Sequence, residues 1–462
     1  MNEYSDLEKL RDNVKQVTND IIKLIAKRND LVVNIGETKS KLGLSTKNIE
    51  TEEKLKNSMM QICEKYGINI EFGQKILNLL VDESLRLQGE EKQTKQPLMY
   101  QLFAEAKRLE AEGKKIIHLE VGEPDYGPPE PVKTAINDAL NKGYTRYTTP
   151  KGLIELRKKL VDRIKHENGA DIDPEQIMMT VGGKFAVYAS IMTLLNKGGE
   201  GIIVDPAWPV YRVCIARAGG KSIGLKTNLE DDWDLDLEEL KEVISPLTKF
   251  IFINNPSNPT GKIYSKQTLK GVIDIASEKG IKVISDEVYS HLSFKPFTSV
   301  LDIDSTNIIY IQSFSKTYGM TGFRLGYILA ERKMIDEMVK LQSATLTSAP
   351  EFIQYSAINA LTLSEAPQEY MNITKKRVDF ACKLMDDLPF SYYRPDGTFY
   401  IFPKVETKNT PNLAFDILKQ QGVAVAPGAS FGDNYKDFLR FSICLEPPLI
   451  QEAFDKIRRT IT

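Results

Sequence analysis

The residues with the clearest chemical potential stand just after short apolar runs in the second half of the chain. Ser313 and Lys316 follow the run "IIYIQ", Asp286 follows "IKVIS", and Asn258 comes soon after "KFIFI". An amine, a carboxylate and an amide that meet in one pocket can bind a cofactor and move protons. Taken singly, Asp286 is equally explained by a cap at a strand end, and a lone lysine is normally a solvated surface residue.

A second group of residues predicts an anion-binding site. The stretch "IMMTVGGKFAVYASI" has the pattern of a strand, a Gly-Gly turn and a helix. Gly182, Gly183 and Lys184 would therefore stand at a helix N-terminus, where backbone N–H groups and the helix dipole favour an anion. Arg324 adds a cation further along the chain. By themselves the glycines fit a plain turn equally well, and an arginine is more often a surface or salt-bridge residue.

Together these residues match the requirements of one cofactor, pyridoxal 5′-phosphate. Its phosphate needs a helix N-terminus and a cation, its pyridine nitrogen needs a carboxylate that keeps it protonated, and its aldehyde needs a lysine amine. Parallel α/β sheets bind ligands at the carboxyl ends of their strands. We therefore predict a pyridoxal phosphate site at that edge of a sheet, with Lys316 as its covalent anchor.

The apolar runs that carry these residues predict a largely parallel sheet. The runs "GEGIIVD", "KFIFINN", "IKVISDE" and "NIIYIQS" alternate with helix-like segments, as is typical of βα units. From about residue 350 the chain returns to helices and short strands, with turns at "RPDG" and "APGAS". The polar stretch 89–97 ends in proline and predicts a linker in front of this region.

Residues 6–88 have a different pattern, with no proline and strong helical periodicity. Apolar residues from Leu7 to Leu42 alternate spacings of three and four and form an a/d seam. A helix of about 36 residues would be roughly 54 Å long at 1.5 Å per residue, so we expect a second chain to bury its stripe. Two shorter helices are predicted near 49–65 and 70–88.

Arg28 interrupts this seam, and a buried charge is costly without a partner. Polar residues around the apolar bundle predict a pocket for a small polyanion; they are Arg11, Arg28, Lys39, Glu52, Ser84 and Gln88. The pattern alone favours a helical dimerisation arm in which Arg28 pairs with a glutamate. A DNA-binding head is a weaker alternative, because acidic and basic residues are balanced and form no basic stripe.

Composition argues against several classes of function. The 462 residues exceed one ordinary core, and a net charge of -2 gives no reason to expect nucleic acid or an anionic membrane as a partner. The four cysteines are scattered and the three histidines are few, so we expect reduced thiols and no metal site. The charged start "MNEYSDLEKLRD" lacks the apolar core of a signal peptide and no apolar run reaches 18 residues, which predicts a cytoplasmic protein.

Residues 98–462 resemble the class I, fold-type I aminotransferases of the aspartate aminotransferase-like family. The shared motifs are "NNPSNPTG", "SDEVY", "SFSKTYGMTGFRLGY" and "LRFSI". The resemblance implies that Lys316 bonds to the cofactor aldehyde and, once released, moves the proton of the substrate Cα. It implies that Asp286 pairs with the pyridine nitrogen, and that Asn258 and Tyr289 hold the ring 3′-oxygen.

The same resemblance implies how the phosphate and the ring are held. Ser313, Arg324 and the amides of Gly183 and Lys184 would bind the phosphate. Trp208, in "DPAWPVY", would stack on the ring. These roles require an aromatic face and several N–H donors close to one another.

Three further residues complete the implied aminotransferase site. Tyr147 would be lent to the phosphate site of the neighbouring subunit, and Gly122 would allow a close approach over the substrate. Arg440 would clamp the substrate α-carboxylate, a bidentate task suited to a guanidinium. The segment 342–350, where the family recognises side chains, carries Thr and Ser and no arginine, which leaves room for a broader or aromatic pocket. The scaffold also supports lyases, decarboxylases and synthases, but Arg440 and the complete motif set favour transamination.

Residues 6–88 resemble the all-helical chorismate mutases, in which three helices dimerise through the long first helix. The matching runs are "LRDNVKQVTNDIIKLIAKRNDLVVNIGETK", "IETEEK" and "DESLRLQ". The resemblance implies that Arg28 and the partner chain's Arg11 bind substrate carboxylates, while Lys39 and Gln88 donate to the ether oxygen. The reaction is pericyclic, so preorganised donors are sufficient and no nucleophile is required.

Two more roles and one departure belong to this resemblance. Glu52 would hold the substrate hydroxyl and Ser84 would support the pocket. The family often has an arginine and an acidic residue where this chain has Thr51 and Asn48. A contact to a substrate carboxylate is then either lost or supplied by neighbouring lysines, Lys47 or Lys54.

The sequence as a whole predicts a bifunctional enzyme that rearranges chorismate to prephenate and transfers an amino group between glutamate or aspartate and a keto acid. Prephenate, an aromatic keto acid and oxaloacetate are the candidate acceptors. A single-activity aminotransferase with a helical oligomerisation arm is the rival interpretation, and either one implies a homodimer or a higher homo-oligomer. The predicted segments are an all-α three-helix domain at 1–88, a linker at 89–97, and an α/β aminotransferase at 98–462 with a large, mostly parallel-sheet domain at about 130–345 and a small α+β domain at about 98–129 plus 346–462.

Overall fold

The computed structural model describes residues 2–42, 48–88, 98–196, 198–304, 306–406 and 409–461. The chain forms two compact units, Met1–Lys95 and Gln96–Thr462. Among the described residues, every helix is too short or too polar to cross a bilayer.

The first unit consists of three helices, as the periodicity predicts: α1 (Asn2–Leu42), α2 (Ile49–Tyr66) and α3 (Ile70–Leu87). Asn48 and Asn69 cap α2 and α3, because their side chains accept hydrogen bonds from backbone N–H groups of the first helical turn. Gly67, with φ of 64°, ends α2 in the left-handed conformation that glycine tolerates.

The long helix α1 has two different faces. One face is half-buried or buried and packs towards α3; its residues are Ile25, Arg28, Asn29, Val32, Gly36 and Lys39. All residues from 4 to 24 are exposed, including most of the predicted seam. Arg28 thus lies at the margin where the seam and the intramolecular packing face overlap.

The second unit contains thirteen helices in its described residues: α4 (Leu98–Ala111), α5 (Glu130–Asn141), α6 (Ile154–Asn168), α7 (Gly182–Leu194), α8 (Val210–Arg217), α9 (Leu237–Val243), α10 (Lys266–Glu278), α11 (Phe314–Thr317), α12 (Arg332–Thr345), α13 (Glu351–Ala360), α14 (Glu365–Met385), α15 (Thr410–Gln421) and α16 (Pro447–Ile461). Its short strands outside the main sheet are β1 (Ile117–His118), β9 (Phe390–Ser391), β10 (Tyr400–Ile401), β11 (Lys404–Val405), β12 (Val423–Ala424), β13 (Ala426–Pro427) and β14 (Leu439–Ser442).

A seven-stranded sheet forms the centre of this unit. Its strands are β2 (Ile177–Thr180), β3 (Glu200–Asp205), β4 (Lys221–Lys226), β5 (Thr248–Asn254), β6 (Lys282–Asp286), β7 (Ile308–Ser313) and β8 (Gly326–Leu329). Their order across the sheet is β2-β8-β7-β6-β5-β3-β4, and β8 alone among them runs antiparallel to its neighbours. The four predicted strand runs are confirmed as β3, β5, β6 and β7.

Alternation along the strands buries both faces of the sheet. In β5, Ile251 and Ile253 belong to one hydrophobic cluster, whereas Phe250 and Phe252 belong to the cluster on the other face. A third cluster joins α4, α14, α15, α16 and β14 and forms the core of a smaller domain. The segment bounds predicted from the sequence remain predictions, and α13, which lies after residue 346, packs with the large-domain core.

Candidate active site

One cavity of about 380 Å³ lies at the carboxyl ends of β5, β6 and β7. Its lining includes most of the residues predicted for the aminotransferase site, namely Gly122, Gly183, Lys184, Trp208, Asn258, Asp286, Tyr289, Ser313, Lys316, Arg324 and Arg440. The helix α4 adds three residues that sequence reasoning missed, Met99, Tyr100 and Phe103. The parallel sheet therefore brings distant motifs to one edge, as predicted.

Lys316 is half-buried in this cavity on the short helix α11, which begins directly after β7. Ser313 caps α11, since its Oγ accepts a hydrogen bond from the N–H of Ser315 at 3.1 Å. The Nζ of Lys316 donates to the carbonyl of Gly122 at 2.5 Å. Burial lowers the pKa of Lys316 to about 8, because water no longer solvates its charge. A substantial fraction of the amine is therefore neutral, and hence nucleophilic, at pH 7–8.

Asp286 ends β6 and points its carboxylate into the same cavity. The hydroxyl of Tyr211 donates to its Oδ2 at 2.8 Å, and the N–H of Val288 approaches Oδ1 at 3.4 Å. Burial raises the pKa of Asp286 to about 6. A buried carboxylate in this state gains most from a cationic partner, which is what a protonated pyridine nitrogen supplies. Sequence reasoning missed Tyr211, although it stands three residues after Trp208 at the start of α8.

The predicted anion site is built by α7 and by the loop that precedes β8. Gly182 begins α7 with φ of +76°, and a Cβ there would lie 2.6 Å from Nη2 of Arg324. Arg324 itself adopts a left-handed conformation, with φ of 55°, and its Nη1 donates to the carbonyl of Thr321 at 2.8 Å. A glycine is thus required where the guanidinium approaches the helix N-terminus. Backbone amides, a guanidinium and the Ser313 hydroxyl give a donor set that fits a phosphate.

Arg440 lies on β14 at another wall of the cavity and is 2% exposed. Its Nη1 donates to Oδ1 of Asn258 at 3.3 Å, and its Nη2 donates to the backbone carbonyl of Glu120. The guanidinium carbon lies 4.5 Å from the ring centroid of Tyr400. A contact to a side-chain oxygen, a contact to a backbone carbonyl and a neighbouring aromatic ring hold the planar group in one orientation, which suits it to bidentate binding of a carboxylate.

Two tyrosines shape the same wall. The hydroxyls of Tyr289 and Tyr400 lie 2.9 Å apart and form a hydrogen bond. A Cβ at Gly122 would lie 1.9 Å from the hydroxyl of Tyr400, so a glycine is required at this position. Tyr400, like Tyr211, was missed because its motif "GTFYIFP" carries no charge that would mark it in the sequence.

The side chain of Lys184 adds a further cationic group to a cavity that Arg324 and Arg440 also line. Its Nζ lies 5.2 Å from the ring centroid of Trp208 and 6.0 Å from that of Tyr100. Burial, and then the nearby Arg324, lower the pKa of Lys184. The sequence predicted a role for its backbone amide only. Lys184 as a whole residue is exposed, but its ammonium lies beside the rings of Trp208 and Tyr100 at the cavity.

Tyr147 behaves differently from the other predicted residues. Its side chain is 87% exposed, and it does not line the cavity of its own chain. The predicted role of Tyr147 in the neighbouring subunit remains a prediction.

In the first unit, Arg28, Ser84 and Gln88 meet on the packing face between α1 and α3. The Nη1 of Arg28 and the hydroxyl of Ser84 both donate to the carbonyl of Leu80, at 2.9 and 2.6 Å. A Cβ at Gly36 would lie 2.8 Å from Cγ of Gln88, so this glycine lets the two helices approach. Oε1 of Gln88 is buried without a hydrogen-bond partner among the described residues. Within the chain, Arg28 therefore bonds to a backbone carbonyl, whereas the rival interpretation expected a pair with a glutamate.

The other predicted mutase residues are Arg11, Lys39 and Glu52, and they differ in exposure. Glu52 is half-exposed in the first turn of α2, and Lys39 is half-buried near the end of α1. Arg11 is exposed and binds the neighbouring Glu8 at 2.9 Å.

The two departures from the mutase pattern have a local structure. The side chain of Asn48 accepts a hydrogen bond from the N–H of Thr51 at 3.0 Å, so it serves as the cap of α2. Lys54 binds Glu50 at 2.6 Å, and both side chains are exposed. Lys47, the other lysine considered for the missing contact, lies outside the described residues.

Comparison with known proteins agrees with this geometry. Residues 114–457 match the family model "Aminotransferase class I and II", and residues 10–89 match "Chorismate mutase type II". An aspartate aminotransferase of Thermotoga maritima is 35% identical over 77% of this chain and 94% of its own length. A probable aspartate/prephenate aminotransferase of Aquifex aeolicus is 32% identical over 78% of this chain and 94% of its own length. The solved structure of Thermus thermophilus aspartate aminotransferase with maleate aligns with a TM-score of 0.76 at 30% identity, over 79% of this chain and 97% of that one.

Proposed function

We propose a function from one premise: the chain belongs to the class I and II aminotransferase family. The family uses pyridoxal phosphate, and an enzyme of this family with a chorismate mutase segment ahead of it combines two catalytic units. We infer that the second unit transfers an amino group from glutamate or aspartate to a keto acid. We infer that the first unit converts chorismate to prephenate. The observation that carries the aminotransferase proposal is that Lys316, Asp286 and Arg440 line one cavity of about 380 Å³.

The residues of the cavity fit the cofactor and divide its binding among themselves. When bound, pyridoxal phosphate supplies an electron sink for the bond that breaks at the substrate Cα. Asp286 would hold the pyridine nitrogen and Trp208 would cover the ring. Gly183, Ser313 and Arg324 would hold the phosphate, as the donor set at the start of α7 requires.

Arg440 and Lys316 would act on the substrate itself. Arg440 would bind the α-carboxylate and thereby fix the substrate in the cavity. Lys316, whose amine is buried and partly neutral near pH 8, would accept the proton that leaves Cα and return it at the end of the half-reaction. Closure of the cavity by Phe103 and Tyr100 would limit access of water.

Lys184 supports a dicarboxylic substrate. Its ammonium lies beside Trp208 in the same cavity as Arg440, so one substrate can present a carboxylate to each cation. Glutamate, aspartate and oxaloacetate each carry two carboxylates, and so does prephenate. The segment 342–350, which has no arginine, is therefore not needed for a dicarboxylate. The likeness to an enzyme with the printed name "Probable aspartate/prephenate aminotransferase" supports this choice of substrates.

The mutase proposal rests on the face that joins Arg28, Ser84 and Gln88. We infer that these side chains, with Lys39 on the same half-buried face of α1 and with Glu52 of α2, would provide the preorganised donors and acceptors that a pericyclic rearrangement needs. The exposed seam of α1, whose residues include Leu10, Val14, Val17, Ile21 and Leu24, supports a homodimer of this unit in which Arg11 completes the partner's site. A homodimer or larger homo-oligomer in the cytoplasm is part of the proposal.

The aminotransferase proposal is tested with the complete chain loaded with pyridoxal phosphate. Glutamate and aspartate are offered with a panel of keto acids: prephenate, phenylpyruvate, 4-hydroxyphenylpyruvate and oxaloacetate. We expect amino transfer in wild type, none in Lys316→Ala, and unchanged rates in the control Lys340→Ala, which alters an exposed lysine bound to Glu337. Decarboxylation or cleavage of the amino acid, with no amino transfer to any acceptor, would show that the protein is a lyase on the same scaffold.

The mutase proposal is tested by the loss of chorismate absorbance. We expect turnover in wild type and a fall of roughly 10- to 150-fold in Arg28→Ala, since a charged contact to a carboxylate contributes ~1.5–3 kcal/mol. Lys23→Ala is the control, because Lys23 is exposed and bound to Asp20, away from the predicted pocket residues and the seam. Absence of turnover in wild type, with transamination intact, would favour the helical oligomerisation arm.

A further inference from the structure

Glu120, a buried residue that the sequence did not predict for the site, lines the same cavity and contacts Arg440 through its backbone carbonyl. The side chain of Glu120 is 1% exposed. Its Oε1 lies 2.8 Å from Nδ1 of His118, whereas Oε2 is buried without a hydrogen-bond partner among the described residues. Through its backbone carbonyl, the same residue accepts the hydrogen bond from Nη2 of Arg440. Glu120 therefore joins His118 to the residue that we propose binds the substrate.

His118 also binds α4, the helix that lines the cavity. Its Nε2 lies 3.0 Å from Oε1 of Glu110 on α4. Each ring nitrogen thus faces a carboxylate oxygen, and both contacts are hydrogen bonds only when both nitrogens carry a proton. A neutral imidazole would turn a lone pair towards one of the two carboxylates.

The charges around the imidazole are Glu110, Glu120 and, beyond Glu110, Lys107, which binds that glutamate at 2.8 Å. The ring of Phe103, from α4, lies 6.4 Å from the imidazole ring. The two carboxylates raise the pKa of His118, and Glu120 contributes more than Glu110. Burial of a carboxylate without a counter-charge is costly in free energy. The imidazolium of His118 offsets this cost for the buried carboxylate of Glu120.

We propose that His118, as an imidazolium, is a positioning residue of the aminotransferase unit: it ties α4 to Glu120 and so holds Arg440 in place for the substrate α-carboxylate. This inference rests on the proposed transamination, because it assigns a support to the clamp of that reaction. His118 touches neither substrate nor cofactor. Its loss should weaken the binding of carboxylates more than it slows the chemical step.

The binding test uses His118→Gln and Glu120→Gln in the holoenzyme, with His166→Gln as the control, because His166 is exposed on α6. We expect KM for glutamate and for the keto acid to rise about tenfold in both variants, the size of losing one hydrogen bond to a charged group. The rate constant kcat should stay within about twofold. In wild type, KM should rise with pH as His118 loses its proton, and His118→Gln should remove that rise.

A second measurement needs no activity. The chain has three histidines, so NMR of the imidazole C–H groups can follow His118 directly, with His166→Gln and His291→Gln to assign the other two signals. We expect His118 to titrate above the ordinary pKa of about 6.5 and to return towards it in Glu120→Gln. The Kd of maleate, a dicarboxylate, should rise about tenfold in His118→Gln at pH 7.

Two results would overturn the inference. One is a His118 signal in folded wild type that titrates at or below the ordinary value, which would remove the imidazolium whether or not the variants fold. The other is an unchanged KM and maleate Kd in a folded His118→Gln protein. If no keto acid accepted an amino group, the proposed function would fail, while the histidine titration and the maleate Kd would still decide the role of His118.

Discussion

Replacing Lys184 by methionine should separate the substrates of the aminotransferase unit. The change keeps most of the side-chain volume beside Trp208 and Tyr100 but removes the ammonium. Coulomb's law gives about 4 kcal/mol for unit charges 4 Å apart at an effective dielectric constant of 20. Screening by water in a partly open cavity lowers this towards the ~1.5–3 kcal/mol of a charged hydrogen bond. We therefore expect kcat/KM for glutamate and aspartate to fall roughly 10- to 150-fold, at about 1.4 kcal/mol for each factor of ten.

For monocarboxylic substrates, kcat/KM should not fall in the Lys184→Met variant. Phenylalanine leaves the ammonium of Lys184 without a carboxylate, and burial already disfavours that charge. We expect Lys184→Met to leave kcat/KM for phenylalanine unchanged or to raise it a few-fold, and Lys184→Arg to retain most activity with glutamate. The assay is steady-state transamination with each amino donor and one common keto acid.

The reasoning would be refuted by an equal loss for both classes of donor. Such a result, with a weaker Kd for pyridoxal phosphate, would mean that the ammonium serves the phosphate together with Arg324. A separate measurement of cofactor affinity by fluorescence titration therefore belongs to the experiment. Lys340→Met, on the exposed face of α12, controls for the loss of a lysine as such.

Three further predictions follow from burial and exposure. Because the pKa of Asp286 in the folded state is about 6, above its ordinary value of 3.8, the folded state binds more protons than the unfolded state between these pH values and loses stability as pH rises. Asp286→Asn should therefore stabilise the cofactor-free protein by up to ~3 kcal/mol at pH 7.5 and not at pH 4. Equal effects at both pH values in thermal unfolding would contradict this. Because the pKa of Lys316 is about 8, pyridoxal phosphate added to the cofactor-free protein should form its imine faster as pH rises and level off above about pH 8, with borohydride reduction at one fixed pH to locate the adduct on the Lys316 peptide; a rate of imine formation that keeps rising to pH 10 would argue against the buried amine. Ile21→Glu in the exposed seam of α1 should abolish the mutase activity and spare transamination, whereas Val33→Glu, outside the seam, should spare both; sedimentation would show a smaller assembly for the first variant only.

The sequence predicts those parts of the site that follow a strand directly. Asp286 and Lys316 come within a few residues of β6 and β7, so the period of the strands and the rule for parallel sheets suffice to bring them together. Asn258 and Arg440 are reached through motifs instead. The periodicity of residues 6–88 predicts three helices whose bounds the structure confirms within a few residues.

The residues that the sequence did not predict reach the site because of how their helices pack and which way their side chains then point. Tyr211 reaches Asp286 because α8 packs against the sheet, and Tyr100 reaches the cavity because α4 packs in the small domain. Neither packing contact can be recognised from the spacing of residues along the sequence. Arg28 shows the same limit: spacing places it on the seam, but the packing of α1 on α3 turns it towards Leu80.

In a transamination, one cavity accepts an amino donor and then a keto acid. Both substrates must therefore suit the same two cationic side chains, Arg440 and Lys184. In the proposed site, Arg440 would bind the α-carboxylate that all of these substrates share. Lys184 would distinguish between them, because desolvation disfavours its charge and a second carboxylate would compensate it. Glutamate or aspartate as donor and prephenate or oxaloacetate as acceptor meet this condition in both half-reactions. An aromatic monocarboxylate would leave Lys184 without a carboxylate partner in both half-reactions. Use of such a substrate would therefore depend on how readily Lys184 loses its proton or moves towards Tyr100. Prephenate, the proposed product of the first unit, would therefore match the proposed site of the second unit better than the aromatic keto acids derived from prephenate.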